Sequence, residues 1–510
     1  MGNPPNASSI IIFGTFIDVP SPTELRIREN HVCVVNRHGI IVKLAEAPPG
    51  LSEEELLEQV DQDNQTGDWQ IIRLGDGSRE VVFPGLIDCV KIPCHHVSAG
   101  FGHEADGSLA HPLGTKTDLP LMQWLNQYTF PEESRFSDPD YANKVYPRLV
   151  RRLLRNGTTT ALYFASSHLE ATKVLAKTCA EMGQRAFVGK NCSDGELCPE
   201  YYRETTEGST KDTREFVEWC RAEFGKEGRV RAVVTPRFVG VSSRSLRSLR
   251  LSLTCHAETP TCTPSLLKAL GSIAREYDVA IQTHAAETVD QVALVAQKFP
   301  AEKRDIPILR ASGLLTPRTI LAHGCHLTTS EVRELVEADV AVTSCPYSNI
   351  LFSRATLPIP RFHDMGLKIG LGTDISGGWS SSIWENARLA VLQDRVDSFV
   401  RTGTHSIPEA EVEADPGWEV TFVYALYLST VGGARSLGLH SDEGGVGLFE
   451  VGREFDAVHV GLDVEDQRFE FYEREGVRDR FERFVLGGDD RNVVGVWVGG
   501  RKVWERGGGG

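Results

Sequence analysis

A (β/α)8 barrel of the TIM type, carrying a small β-sandwich-like domain formed from both chain termini, is the α/β fold the sequence predicts. Three observations carry the prediction. Short apolar strands alternate with helical stretches through the middle of the chain, β-rich segments lie at both ends, and polar side chains fall where the apolar strands stop.

The ends come first. Residues 10–13, 33–35 and 40–42 are strand-like runs separated by turn residues, and the polar stretch 52–68 reads as a short helix plus surface loop. Near the other end, 457–460 and 493–498 are strands. Residues 1–80 and 436–510 are thereby assigned to the two halves of the small β domain, and 81–435 to the barrel. The barrel strands are expected at 81–87, 158–164, 185–189, 230–235, 279–284, 319–323, 340–344 and 367–373. Helices are expected at 168–182, 213–224, 266–277 and 330–337.

Composition narrows the function. With 510 residues the chain is long enough for one large barrel and a smaller companion. A formal net charge of -16 disfavours nucleic acid and anionic membrane surfaces as partners. No apolar run approaches the length that crosses a bilayer. The first residues lack the basic start and apolar core of a signal peptide, and Asn6 stands where a myristoylation signal needs Ser or Thr. The 11 cysteines include no CxxC pair, which predicts a reducing compartment and a cytoplasmic protein.

His284, His323 and Asp374 sit at or just past the ends of the fifth, sixth and eighth strands, the face on which barrel active sites are built. A neutral imidazole at His284 can bind a divalent ion, and Glu287, three residues on, can shuttle protons there. His323 can polarise a water or a substrate heteroatom. Asp374 can ligate a metal or take a proton from water. Arg237, after the fourth strand, can hold a planar polar ligand in its fork. Each residue alone also has a structural reading, and for His284 and Glu287 taken singly it is the favoured one: a backbone-bonded core histidine, a helix-capping Glu, a turn Asp, a surface salt-bridge Arg. Their gathering on one barrel face favours a catalytic centre.

Several runs resemble the amidohydrolase superfamily, and within it the guanine deaminase family. They are Phe-Pro-Gly-Leu-Ile-Asp (83–88), Leu-Met-Gln-Trp-Leu-Asn-Gln-Tyr-Thr-Phe-Pro (121–131), Asn-Gly-Thr-Thr-Thr-Ala (156–161), Gly-Gln-Arg-Ala-Phe-Val-Gly-Lys (183–190) and Pro-Glu-Tyr-Tyr-Arg-Glu-Thr-Thr (199–206). Thr-Pro-Arg-Phe (235–238), Ala-His-Gly-Cys (322–325), Gly-Leu-Gly-Thr-Asp (370–374), Phe-Glu-Val-Gly-Arg-Glu-Phe-Asp-Ala (449–457) and Gly-Asp-Asp-Arg-Asn (488–492) continue the match. The resemblance implies hydrolytic deamination of guanine to xanthine and ammonia, in purine catabolism, by a zinc-dependent homodimer with one Zn2+ per chain. It implies that His284 and Asp374 are zinc ligands, Glu287 the proton shuttle and His323 an assistant to the attack, with Arg237 and Phe238 holding the purine.

Two segments depart from the pattern. The resemblance calls for His-x-His immediately after Asp88, but the chain reads Cys89-Val-Lys-Ile-Pro-Cys-His95-His96. Adjacent histidines on an extended strand point to opposite faces, so His95 and His96 are poor substitutes for the missing pair. His103 and His111 follow in a Gly-rich stretch. Residues 239–260, rich in Ser and Arg, lengthen the path to the next helix without a strand or helix period. Both departures begin abruptly at a motif boundary, the pattern of a translated intron or a mis-joined exon. The alternatives are a barrel scaffold that has lost its metal, or a deaminase of another heterocycle such as a pterin or a methylthioadenosine-like compound.

Overall fold

Two sheets organise the chain, which enters the second from the first at a single glycine and returns to the first after the barrel. The computed structural model describes residues 9–47, 69–75, 79–92, 117–119, 121–195, 198–238, 261–375, 377–401, 419–472 and 474–507. Three expectations lie outside these residues: the helix at 52–68, the departing loop at 239–260, and the histidines His95, His96, His103 and His111.

The first five strands are β1 (Ser9–Ser21), β2 (Glu24–Val35), β3 (Ile41–Glu46), β4 (Trp69–Arg73) and β5 (Glu80–Pro84). The middle of the chain supplies β6 (Leu86–Lys91), β7 (Thr158–Phe164), β8 (Arg185–Gly189), β9 (Asn191–Cys192) and β10 (Val230–Pro236). It continues with β11 (Ala280–Ala285), β12 (Thr319–His323), β13 (Ala341–Ser344) and β14 (Lys368–Leu371). A two-residue hairpin, β15 (His440–Ser441) and β16 (Gly444–Gly445), leads to β17 (Ala457–Gly461), β18 (Val493–Val498) and β19 (Arg501–Glu505).

Strands from both termini form one mixed sheet in the order β19-β18-β17-β5-β1-β2-β3, with β4 parallel to β1. Its own core includes Ile10, Ile12, Phe16, Val82, Phe455 and Trp497. The other sheet is parallel, in the order β6-β7-β8-β10-β11-β12-β13-β14. Its ends meet. The Asp374 N–H donates to Val90 O at 2.9 Å and the Ile92 N–H to Ile375 O at 3.3 Å. Asp88 closes the same seam, accepting from the Thr373 N–H at 2.9 Å and the Thr373 hydroxyl at 2.6 Å. The predicted barrel, with a small β unit built from both chain ends, is therefore present.

The first predicted strand, 81–87, is corrected: it is two strands in two sheets. The Gly85 N–H donates to Asp456 O at 2.9 Å in the terminal sheet, and the next amide, Leu86, donates to Gly157 O at 3.0 Å in the barrel. A Cβ at Gly85 would come within 2.1 Å of Thr159 Oγ1, so only glycine lets the chain cross here. The helix expected at 213–224 is also longer, Thr206–Phe224, because the Thr205 hydroxyl accepts from the Gly208 N–H at 3.0 Å and starts it earlier. Among the described residues no helix is long and apolar enough to cross a membrane.

Candidate active site

β10, β11, β12 and β14 all deliver side chains to one end of the barrel. Immediately after β10, Arg237 and Phe238 run beside β11, where Phe238 pairs with His284. The His284 ring is clamped between aromatic faces, 4.3 Å from Phe238 at 26° and 4.6 Å from Phe164. Its Nδ1 lies 2.7 Å from the Arg237 carbonyl oxygen. A carbonyl only accepts, so Nδ1 carries the proton and Nε2 the lone pair.

His323 ends β12 with a positive φ of 72°, and Asp374, just past β14, has φ 44°. Backbone in this region is costly for a residue with a side chain and gathers at functional sites. The His323 Nδ1 is 2.9 Å from Asn349 Oδ1, which as an acceptor again leaves the lone pair on Nε2. That Nε2 faces Glu287 Oε1 at 3.7 Å and Asp374 Oδ2 at 3.9 Å. His323 Nε2, Glu287 Oε2 and Asp374 Oδ1 are all buried without a hydrogen-bond partner among the described residues. Unpaired buried polar atoms are expensive, and three on residues that line one cavity point to a site built to receive something.

Glu287 does not cap a helix. The Thr288 hydroxyl caps the helix Val289–Lys298, accepting from the Gln291 N–H at 3.1 Å. The backbone ahead of that cap is pinned: the Ala286 N–H donates to Asp305 at 2.8 Å and the Glu287 N–H to Gln291 at 3.0 Å. Burial pushes the Glu287 carboxyl up to about 7, opposed by nearby His323 and reinforced by Asp374.

Arg237 is buried as half of an ion pair. Its Nη1 donates to Glu133 Oε2 at 2.5 Å and to the Tyr202 hydroxyl at 2.9 Å, and the Tyr202 hydroxyl in turn donates to Glu133. Phe130 lies 5.2 Å from the guanidinium carbon. Arg237 and Phe238 line one cavity with His284, Glu287, His323 and Asp374, walled by Ile92, Trp124 and Phe352. The space enclosed is about 20 Å³, room for one water molecule.

A divalent ion held by protein needs three or four donors. Among the described residues no three of His, Cys, Asp and Glu are gathered to hold one. In the segment 89–92, where the resemblance calls for a His-x-His pair, there is no histidine: Val90 packs in an apolar cluster with Tyr163 and Ala322, and Ile92 lines the cavity. The described residues therefore do not make a complete metal centre. His326 does not line the cavity.

Glu133, Tyr202, Asn349, Asp305 and Gln291 were not anticipated as site residues. Tyr202 and the residues just ahead of Glu133 fall in family-like runs, which was the available signal; Asn349, Asp305 and Gln291 carried none.

A match to the amidohydrolase family spans residues 81–503. The chain is 34% identical over 506 residues to guanine deaminase of Mus musculus, covering 97% of this chain and 96% of that protein. It is 33% identical over 496 residues to guanine deaminase of Dictyostelium discoideum, covering 96% and 97%. The crystal structure of guanine deaminase from C. acetobutylicum with bound guanine in the active site superposes with a TM-score of 0.77 at 25% identity, covering 97% of this chain and all of that one. With an eight-stranded parallel barrel, a converging His–Glu–Asp cluster and relatives along nearly its whole length, this chain belongs to the amidohydrolase family and is a guanine-deaminase-like member of it.

Proposed function

We propose that this protein catalyses the hydrolysis of guanine to xanthine and ammonia. The observation that carries the reading is the convergence of Glu287, His323 and Asp374 on one buried cavity whose other wall is Arg237 and Phe238. Water must add at the carbon bearing the amino group, and the departing nitrogen must leave as ammonia. Glu287, held near 7, is divided between its two protonation states at neutral pH, as a group that both takes and returns protons must be. It can accept a proton from the attacking water and pass it to the ring or the leaving nitrogen. His323, its Nε2 between Glu287 and Asp374, can accept or return a proton along the same line. Phe238 offers an aromatic face and Arg237 a donor edge to a planar base. A purine needs more room than one water, so binding requires a wall such as Ile92, Leu121 or Trp124 to move.

Zinc, one per chain, belongs to the same proposal, with His284 and Asp374 among its ligands. The described residues do not complete that set, and His95 and His96, outside the described residues, are the candidate substitutes for the missing pair. The setting proposed is a cytoplasmic homodimer acting on a free purine, with neither nucleic acid nor membrane as partner.

Incubating the purified chain with guanine, a pterin and a methylthioadenosine-like compound, and measuring ammonia release, tests the substrate. Ammonia from guanine alone is the expected result; release only from another heterocycle overturns it. Elemental analysis tests the metal, with one zinc per chain expected. A second reading, a barrel scaffold without turnover, is favoured by the lack of histidine in 89–92, where ligands were expected, and metal-free protein inert towards all three compounds would establish it. Sequencing the mature transcript across the codons for 85–121 separates a true departure from a mis-joined exon.

A further inference from the structure

Behind the wall of the cavity stands a carboxylate that does not line it. We propose that Glu133 is a positioning and specificity residue: by neutralising Arg237 it makes the site select an uncharged planar ring over an anionic one. The inference rests on the purine reading of the site.

The geometry is that of a closed pair. The Glu133 and Arg237 side chains are 0% and 1% exposed, and the Arg237 Nη1 is 2.5 Å from Glu133 Oε2. Tyr202 joins the pair from the side, accepting from Arg237 and donating to the same glutamate. Phe130 packs on the guanidinium and on the Tyr202 ring, with ring centroids 4.9 Å apart. Glu133 lies two residues past the run 121–131, so the segment that walls the cavity also carries the counter-charge.

A buried guanidinium alone is a strong attractor of anions, because its field is weakly screened there. It would draw a carboxylate, a phosphate or a purine anion into the cavity. Paired with Glu133 it sums to no net charge. An arriving anion then meets Glu133 behind Arg237, and Glu287 and Asp374 across the cavity, while Arg237 is the only Lys or Arg among the described residues that line it. A neutral ring meets no such penalty and still finds N–H donors fixed in direction by the carboxylate and the phenol. The same logic favours release of the product, since xanthine is a stronger acid than guanine.

The test is equilibrium dialysis at neutral pH with hypoxanthine, a neutral purine without the reacting amino group, and urate, a purine anion. Wild type should bind hypoxanthine about tenfold or more tightly than urate. Glu133→Gln should shrink or invert that ratio by about tenfold, and Glu133→Asp, which keeps the charge, should retain it. A merely structural role would weaken both purines together and leave the ratio alone. Should Glu133→Gln fail to fold, the wild-type ratio still decides, because equal affinity for the two purines overturns the inference. Turnover of guanine with a ratio unchanged in Glu133→Gln overturns this inference alone. Binding of neither purine overturns it together with the purine reading.

Discussion

His323 and Asp374 hold their side chains at the cavity by accepting left-handed backbone, and Glu287 does so by accepting burial as an acid. The second cost is measurable. The Glu287 pKa rises from an ordinary 4.5 to about 7 because burial disfavours the carboxylate. A carboxyl whose folded pKa is raised adds stability below its unfolded pKa, and that contribution is lost as pH climbs through the folded value. Between about pH 5 and pH 8, Glu287→Gln should therefore gain on wild type by at most about 3 kcal/mol in chelator-treated protein, followed by urea unfolding. A difference that does not change with pH would mean that Glu287 is ionised throughout. The same substitution should lower guanine turnover by about 10²–10⁴-fold while leaving the fold intact; full activity would remove Glu287 from the mechanism. At this scale the sequence was informative where a polar residue ends a buried strand, as at Arg237, His284, His323 and Asp374. Glu133, Tyr202 and Asn349 escaped because they lie on helices and turns, where such residue types are ordinary and only the fold brings them behind the site.

β5 and β6 show what strand reading can and cannot resolve. Residues 81–87 form one apolar run, and apolar content identifies a buried strand without saying which sheet buries it. The change of sheet depends on Gly85, whose amide and the next bond to different partners, and periodicity has no signal for that. The ends of β6 and β14 were equally silent, because Asp88 read as part of a motif and not as the clasp that accepts two hydrogen bonds from Thr373. The helices after β10 and β12 were legible from their apolar period, although Thr263 and Thr328 cap them and start each a residue or two earlier than that period showed. Gly85→Ala places a methyl 2.1 Å from Thr159 Oγ1 and should destabilise the protein by about 1–3 kcal/mol, read as a lower denaturation midpoint. An unchanged midpoint would show that β5 and β7 can part at no cost, and that the crossing does not depend on glycine.

Across the whole molecule, the terminal sheet is bound to the barrel by charge as well as by the chain crossing. Arg185, the first residue of β8, reaches Glu454 at 2.7 Å and Asp456 at 3.3 Å, and the Arg185 and Asp456 side chains are 4% and 2% exposed. Asp456 also accepts from the Gly499 N–H at 2.7 Å, which holds the β18–β19 turn to the same point. Apolar packing continues across the junction, because Phe83, Val458 and Val460 of the terminal sheet share one cluster with Leu321 and Leu371 of the barrel. A sheet joined in this way should not melt apart from its barrel. Arg185→Met removes the cation that hydrogen-bonds both carboxylates and takes from buried Asp456 its ion-pair partner, which should cost about 3–5 kcal/mol. Pairing it with Asp456→Asn removes the buried charge too and should recover part of that loss, since what destabilises is a charge left without its partner. Guanidinium unfolding followed by tryptophan fluorescence and by far-ultraviolet circular dichroism checks both points. Coincident transitions shifted together in Arg185→Met are expected, whereas two separated transitions would mean that sheet and barrel are held by the chain crossings alone.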